Sequence, residues 1–126
     1  MTQPQESPHK GKTGLKRVWN AFFYSLEGFK AAWKHEDAFR QESILALIMI
    51  PLALLLTDGA LERALMIASV LLVLIVELIN SAIEATVDRI SLENHQLAKR
   101  AKDIGSAAVL ISLANVLAVW GLVLLG

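Results

Sequence analysis

Residues 64–89 read ALMIASVLLVLIVELINSAIEATVDR, from Ala64 to Arg89. Thirteen residues without a charge end at Glu77, yet no proline or glycine breaks the pattern before Arg89. The stretch therefore reads as one long helix whose later half carries ionisable groups. A charge inside a membrane helix costs roughly 2.5–3.5 kcal/mol or more at the bilayer centre, so such groups are seldom incidental. On a helix of about 100° per residue, Asn80, Glu84 and Asp88 fall about −60°, −20° and +20° from Glu77. These four share one narrow stripe, bordered by Ser81, that has to face protein or water.

Working outward, two more stretches are apolar enough to cross a bilayer, which takes roughly 20 residues. One runs from Ser43 to Leu56 and extends backward as helix through Phe39. Pro51 lies inside it and removes one backbone hydrogen bond, which a membrane helix tolerates. The other runs from Ile104 to Leu125. The expected spans are 38–57, 61–88 and 103–125, with Thr57-Asp58-Gly59 as a tight turn. Basic residues concentrate before the first span and between Arg89 and Lys102, so the N-terminus and second loop are expected in the cytoplasm and Gly126 outside.

Before the first span, Leu15, Val18, Trp19, Phe22, Phe23, Leu26, Phe29 and Trp33 recur at intervals of three and four. That spacing predicts an amphipathic helix over 14–35 lying in the membrane interface. A core helix of a soluble bundle is the plainer reading, and the three spans that follow weigh against it. Residues 1–13 are polar, lack a signal-peptide core and read as a disordered tail. The fold class expected is thus an all-α membrane protein of one domain over 14–126.

The bulk composition agrees. Of 126 residues 55% are hydrophobic, and 12 basic residues balance 12 acidic ones, so charge points to no nucleic-acid partner. The absence of cysteine excludes disulfides and thiolate metal sites. Gly11-Lys12-Thr13 resembles the end of a phosphate-binding loop, but Glu6 stands where glycine belongs and no strand precedes it.

A second acidic group, Glu36, Asp37 and Glu42, precedes the first span. Topology brings it to the cytoplasmic level of Glu84, which lies about 10 Å beyond Glu77 along the helix. Two carboxylates at one level suit Mg²⁺, which favours one or two carboxylates together with phosphate oxygens and water. Lys99, Arg100 and Lys102 at the second loop offer charge for phosphates. Buried carboxylate, metal ligands and lysines together suit phosphoryl transfer. Each element also has a plain reading: Glu84 and Asp88 as solvated helix ends, Glu36 and Asp37 as caps, Lys102 and Asp103 as interface anchors.

The run from Glu77 to Asp88 resembles the signature of the bacterial integral-membrane diacylglycerol kinases. Ala31-Ala32-Trp33, the segment Glu36–Glu42 and the segment Arg100–Leu110 are similar to the same family, in the same order. The resemblance implies a homotrimer with active sites shared between subunits. It also implies transfer of the ATP γ-phosphate to 1,2-diacylglycerol, yielding phosphatidic acid for phospholipid recycling at the cytoplasmic face of the bacterial inner membrane. Carried over, Glu77 is the base, Asn80 orients the reacting groups, and Glu36 with Glu84 holds Mg²⁺. ATP contacts fall to Arg17, Tyr24, Glu36, Glu84, Glu93, Asn94, His95, Lys102 and Asp103. The lipid contacts fall to Arg17, Lys30, Trp33, Gln41, Glu42, Glu77 and Ser106, while Asp88 completes the stripe. Lys30 departs from the family, where an arginine is expected. Undecaprenol as acceptor, or a small proton-coupled transporter with one intramembrane carboxylate, are the competing readings.

Overall fold

The computed structural model describes residues 14–90 and 95–126, and among these the chain is helical with no strand. Four helices follow in order: α1 (Gly14–His35), α2 (Asp37–Leu56), α3 (Ala60–Ile90) and α4 (Gln96–Leu125). The expected tail, 1–13, and residues 91–94 lie outside the described residues. The three helices α2, α3 and α4 are each long and apolar enough to span a membrane, and the chain is an all-α membrane protein.

Helix α1 is a compact unit by itself. Trp19, Phe22 and Phe23 share a face, with Trp19 and Phe23 edge to face at 5.1 Å and Phe22 and Phe23 at 5.9 Å. All of them, and the rest of the apolar stripe, are exposed. Lys34 and His35 occupy its last turn, where positive charge complements the helix dipole.

Residues 36–126 form the second unit, in which α3 packs against both α2 and α4. The core is small: Ala46 and Ala53 of α2 and Met66, Val70 and Val73 of α3 are buried where the two helices pack. Alanine at the contact lets helix backbones approach closely, which is how helices associate where lipid offers no hydrophobic gain. Helix α2 runs unbroken through Pro51. Its end is held by Arg63, whose Nε donates to Thr57 O at 3.0 Å and whose guanidinium also reaches Leu54 O at 2.8 Å. Helix ends leave carbonyls without partners, and here a side chain from the next helix supplies them.

Hydroxyls within the spans bond back to their own helices. Ser69 donates to Met66 O at 2.7 Å, Ser112 to Val109 O at 2.7 Å and Thr57 to Ala53 O at 2.8 Å. Such bonds satisfy polar groups where no water reaches. Between helices, Trp120 Nε1 donates to Met66 O at 3.3 Å and ties α4 to α3.

Helix α4 starts earlier than the apolar run. The basic residues Lys99, Arg100 and Lys102, expected in a loop, lie on its first turns instead. His95 is the N-cap, its Nδ1 accepting from the Leu97 amide at 3.1 Å, and Lys99 pairs with Asp103 one turn on at 2.7 Å. A capped start and an i,i+4 ion pair carry the helix out beyond its apolar part.

Candidate functional site

At 31 residues α3 is about 46 Å long, more than the roughly 30 Å of hydrocarbon in a bilayer. Its polar stripe accordingly grades from buried to wet. Glu77 is 5% exposed and Asn80 7%, while Glu84 is half-buried and Asp88 exposed. The wheel drawn from the sequence is realised, and the burial shows that Glu77 and Asn80 face into α2–α4 rather than outward.

Asn80 Nδ2 donates to Glu84 Oε1 at 3.3 Å, joining successive turns of the stripe. The other amide atom, Oδ1, is buried without a hydrogen-bond partner and abuts Gly105 of α4.

Carboxylates from the start of α2 converge on the same stripe. Glu36 and Glu84 both lie within electrostatic range of Glu77, and Glu77 lies within range of Glu42. Glu36 stands at the N-cap of α2, yet its side chain makes no capping bond there, so the plain reading of it as a cap is not met. Asp37 instead pairs with Arg40 one turn along. Glu42 is half-buried, with Oε2 unpartnered. It is the one charged residue lining an apolar groove of about 300 Å³ formed with Met49, Val70, Val73, Leu113 and Leu117.

Helix α4 contributes the cation. Lys102 Nζ reaches Asp88 at 2.6 Å and lies within range of Glu84. Asp103 points to Lys99. Ser106 is exposed on α4 and Gln41 is exposed on α2. Arg17, Tyr24, Lys30 and Trp33 are exposed on α1. Glu93 and Asn94 lie outside the described residues.

Among the described residues, no three His, Asp or Glu side chains gather into a metal cage. The donor set fits another kind of site. Glu36 and Glu84 are both half-buried, and each lies within electrostatic range of Glu77. Like charges so placed call for a cation, and Mg²⁺ commonly takes one or two carboxylates and completes its shell with phosphate oxygens and water. A buried carboxylate, two further carboxylates nearer water and a lysine beside them can deprotonate a hydroxyl and neutralise a polyphosphate.

Sequence reasoning missed two residues that shape this arrangement. They are Gly105, which lies unremarked within the Arg100–Leu110 segment, and Arg63, which follows the turn Thr57-Asp58-Gly59. The one signal available for Gly105 was a glycine within a helical, apolar run, where it costs about 1 kcal/mol relative to alanine.

Comparison with known proteins adds an independent finding. Residues 23–124 match the family model of prokaryotic diacylglycerol kinase. The diacylglycerol kinase of Pseudomonas aeruginosa is 59% identical over 120 residues, covering 95% of this chain and 98% of its own length. Those of Haemophilus influenzae and Escherichia coli are 54% and 50% identical, covering 86% and 89% of this chain and 92% of each relative.

Proposed function

This chain belongs to the prokaryotic diacylglycerol kinase family, a family of lipid kinases, and from that premise we propose that it transfers the γ-phosphoryl group of ATP to the free hydroxyl of 1,2-diacylglycerol, giving phosphatidic acid and ADP. The observation that carries the reading is the buried carboxylate of Glu77, with those of Glu36 and Glu84 in electrostatic range of it.

Glu77 takes the proton of the lipid hydroxyl as its oxygen attacks the γ-phosphorus and the bond to the β-phosphate oxygen breaks. A base for a lipid alcohol belongs just below the membrane surface, and its depth on α3 suits that. Asn80 orients the reacting groups and steadies Glu84 through its amide. Glu36 and Glu84 would hold Mg²⁺, which supplies neutralisation of phosphate charge when bound. Lys102, freed from Asp88, meets the phosphates.

On the family resemblance alone we assign Arg17, Tyr24, Glu93, Asn94, His95 and Asp103 to the nucleotide. Lys30, Trp33, Gln41, Glu42 and Ser106 are assigned to the lipid on the same ground. The apolar groove beside Glu42 supports the last assignment, because acyl chains need such a surface.

The reaction is assigned to the cytoplasmic face of the inner membrane, where basic residues cluster, with α1 in the interface on the strength of its exposed aromatic stripe. A homotrimer is inferred from the family resemblance, and Ala85 and Ala108, small and exposed on α3 and α4, would permit close approach of a second copy.

The test is transfer of radiolabel from ATP in mixed micelles to a panel of lipid alcohols. Labelled phosphatidic acid is expected. Label appearing only on undecaprenol would overturn the acceptor, and label on no lipid would overturn the reaction.

A further inference from the structure

We propose that Gly105 is a positioning residue of the active site: the missing side chain at this point of α4 is the socket that holds the Asn80 amide on Glu84.

Gly105 is buried, and nothing in its backbone demands glycine, since it sits inside a regular helix without a positive φ. The demand is spatial. A Cβ built there would lie 2.1 Å from Asn80 Oδ1 and 3.2 Å from its Cγ. Atoms that close cannot coexist, so alanine at 105 must displace the Asn80 side chain. Its amide is planar, and Oδ1 and Nδ2 move as one body. A rotation that frees Oδ1 from a new methyl group moves Nδ2 as well, and so disturbs its 3.3 Å bond to Glu84 Oε1, which links the two turns.

Asn80 is 7% exposed, and its Oδ1 has no hydrogen-bond partner in this position. A buried carbonyl oxygen without a partner is costly. It is therefore held where it is by packing against α4, and the surface it packs on is Gly105. The glycine is itself unfavourable in a helix by about 1 kcal/mol. Both local costs have one evident compensation, the fixed orientation of Asn80 and Glu84. Close helix approach alone does not explain the position, because the colliding atom is the end of one particular side chain and not the α3 backbone.

The proposal rests on the reading of Asn80 and Glu84 as site residues, and its test separates the two. Protein labelled with ¹⁵N in asparagine carries four side-chain amide pairs, from Asn20, Asn80, Asn94 and Asn115. The Asn80 pair is identified by its loss in Asn80→Ala. Gly105→Ala is expected to shift that pair, and Glu84→Gln to shift it too. In the kinase assay Gly105→Ala is expected to lower turnover about 10- to 100-fold, the usual effect of removing an outer-shell contact. Adding Gly105→Ala to Asn80→Ala is expected to change activity by less than about twofold, because the two act through one contact.

An unmoved Asn80 pair, or a double variant that loses the product of both factors, would overturn the proposal. Should Gly105→Ala fail to fold, recovery of helicity and assembly in the double variant supports it, and failure of the double variant also overturns it. Absence of kinase activity in the unaltered protein would remove the proposed function while leaving the amide resonances to decide the role of Gly105.

Discussion

Lys102 of α4 and Asp88 of α3 meet at 2.6 Å, closing the polar stripe of one span with the basic entry of another. Both side chains are partly open to water, and Glu84 lies within reach of the same ammonium. The pair is a resting arrangement for a cation whose proposed work is on phosphate. Lys102→Met is expected to raise the KM for ATP by about tenfold or more, the loss of one charge-assisted contact. Asp88→Asn is expected to leave the midpoint of thermal unfolding unchanged, since exposed ion pairs contribute little. Steady-state kinetics and thermal scans in the same detergent check both. An unaltered KM in Lys102→Met would detach this lysine from the nucleotide.

Glu77→Gln keeps the shape of a buried side chain and removes its basicity. Turnover is expected to fall by about 10²–10⁴, the range for a lost general base, with helicity and assembly retained. Activity within tenfold of the parent would exclude Glu77 as the base.

Glu36→Gln and Glu84→Gln each remove one carboxylate facing Glu77. Each is expected to raise the Mg²⁺ concentration for half-maximal activity by about 10- to 100-fold. Chelation is expected to abolish activity in the parent, and added Mg²⁺ to restore it. The metal assignment fails if both variants keep the parent's Mg²⁺ dependence.

Arg63→Met strips two carbonyls at the end of α2 of their donors, Leu54 O and Thr57 O. The cost expected is about 1 kcal/mol, because the Leu54 carbonyl is exposed and only the bond to Thr57 O is partly buried. Denaturant titration in mixed micelles measures it. No change would mean that water already satisfies the turn.

Much of the fold was legible before any coordinates. Uninterrupted apolar runs marked α2, α3 and α4, and intervals of three and four marked α1, because chain-local periodicity reflects the geometry of a single helix. The four polar residues of α3 fell on one stripe for the same reason. The start of α4 was less legible: hydropathy marks where lipid begins, whereas a helix continues as far as its cap and ion pairs carry it, here to His95.

Taken alone, then, the sequence determined the helices, the family resemblance and the stripe from Glu77 to Asp88, all of which depend on residues near one another in the chain. Only the tertiary structure decided that Asn80 is buried along with Glu77, that Lys102 meets Asp88, that Arg63 closes α2, and that Asn80 rests on Gly105. Each of these depends on how one helix is rotated and shifted against another. That rotation is decided by small contacts such as Ala53 against α3 and a glycine on α4, whose letters look alike wherever they occur.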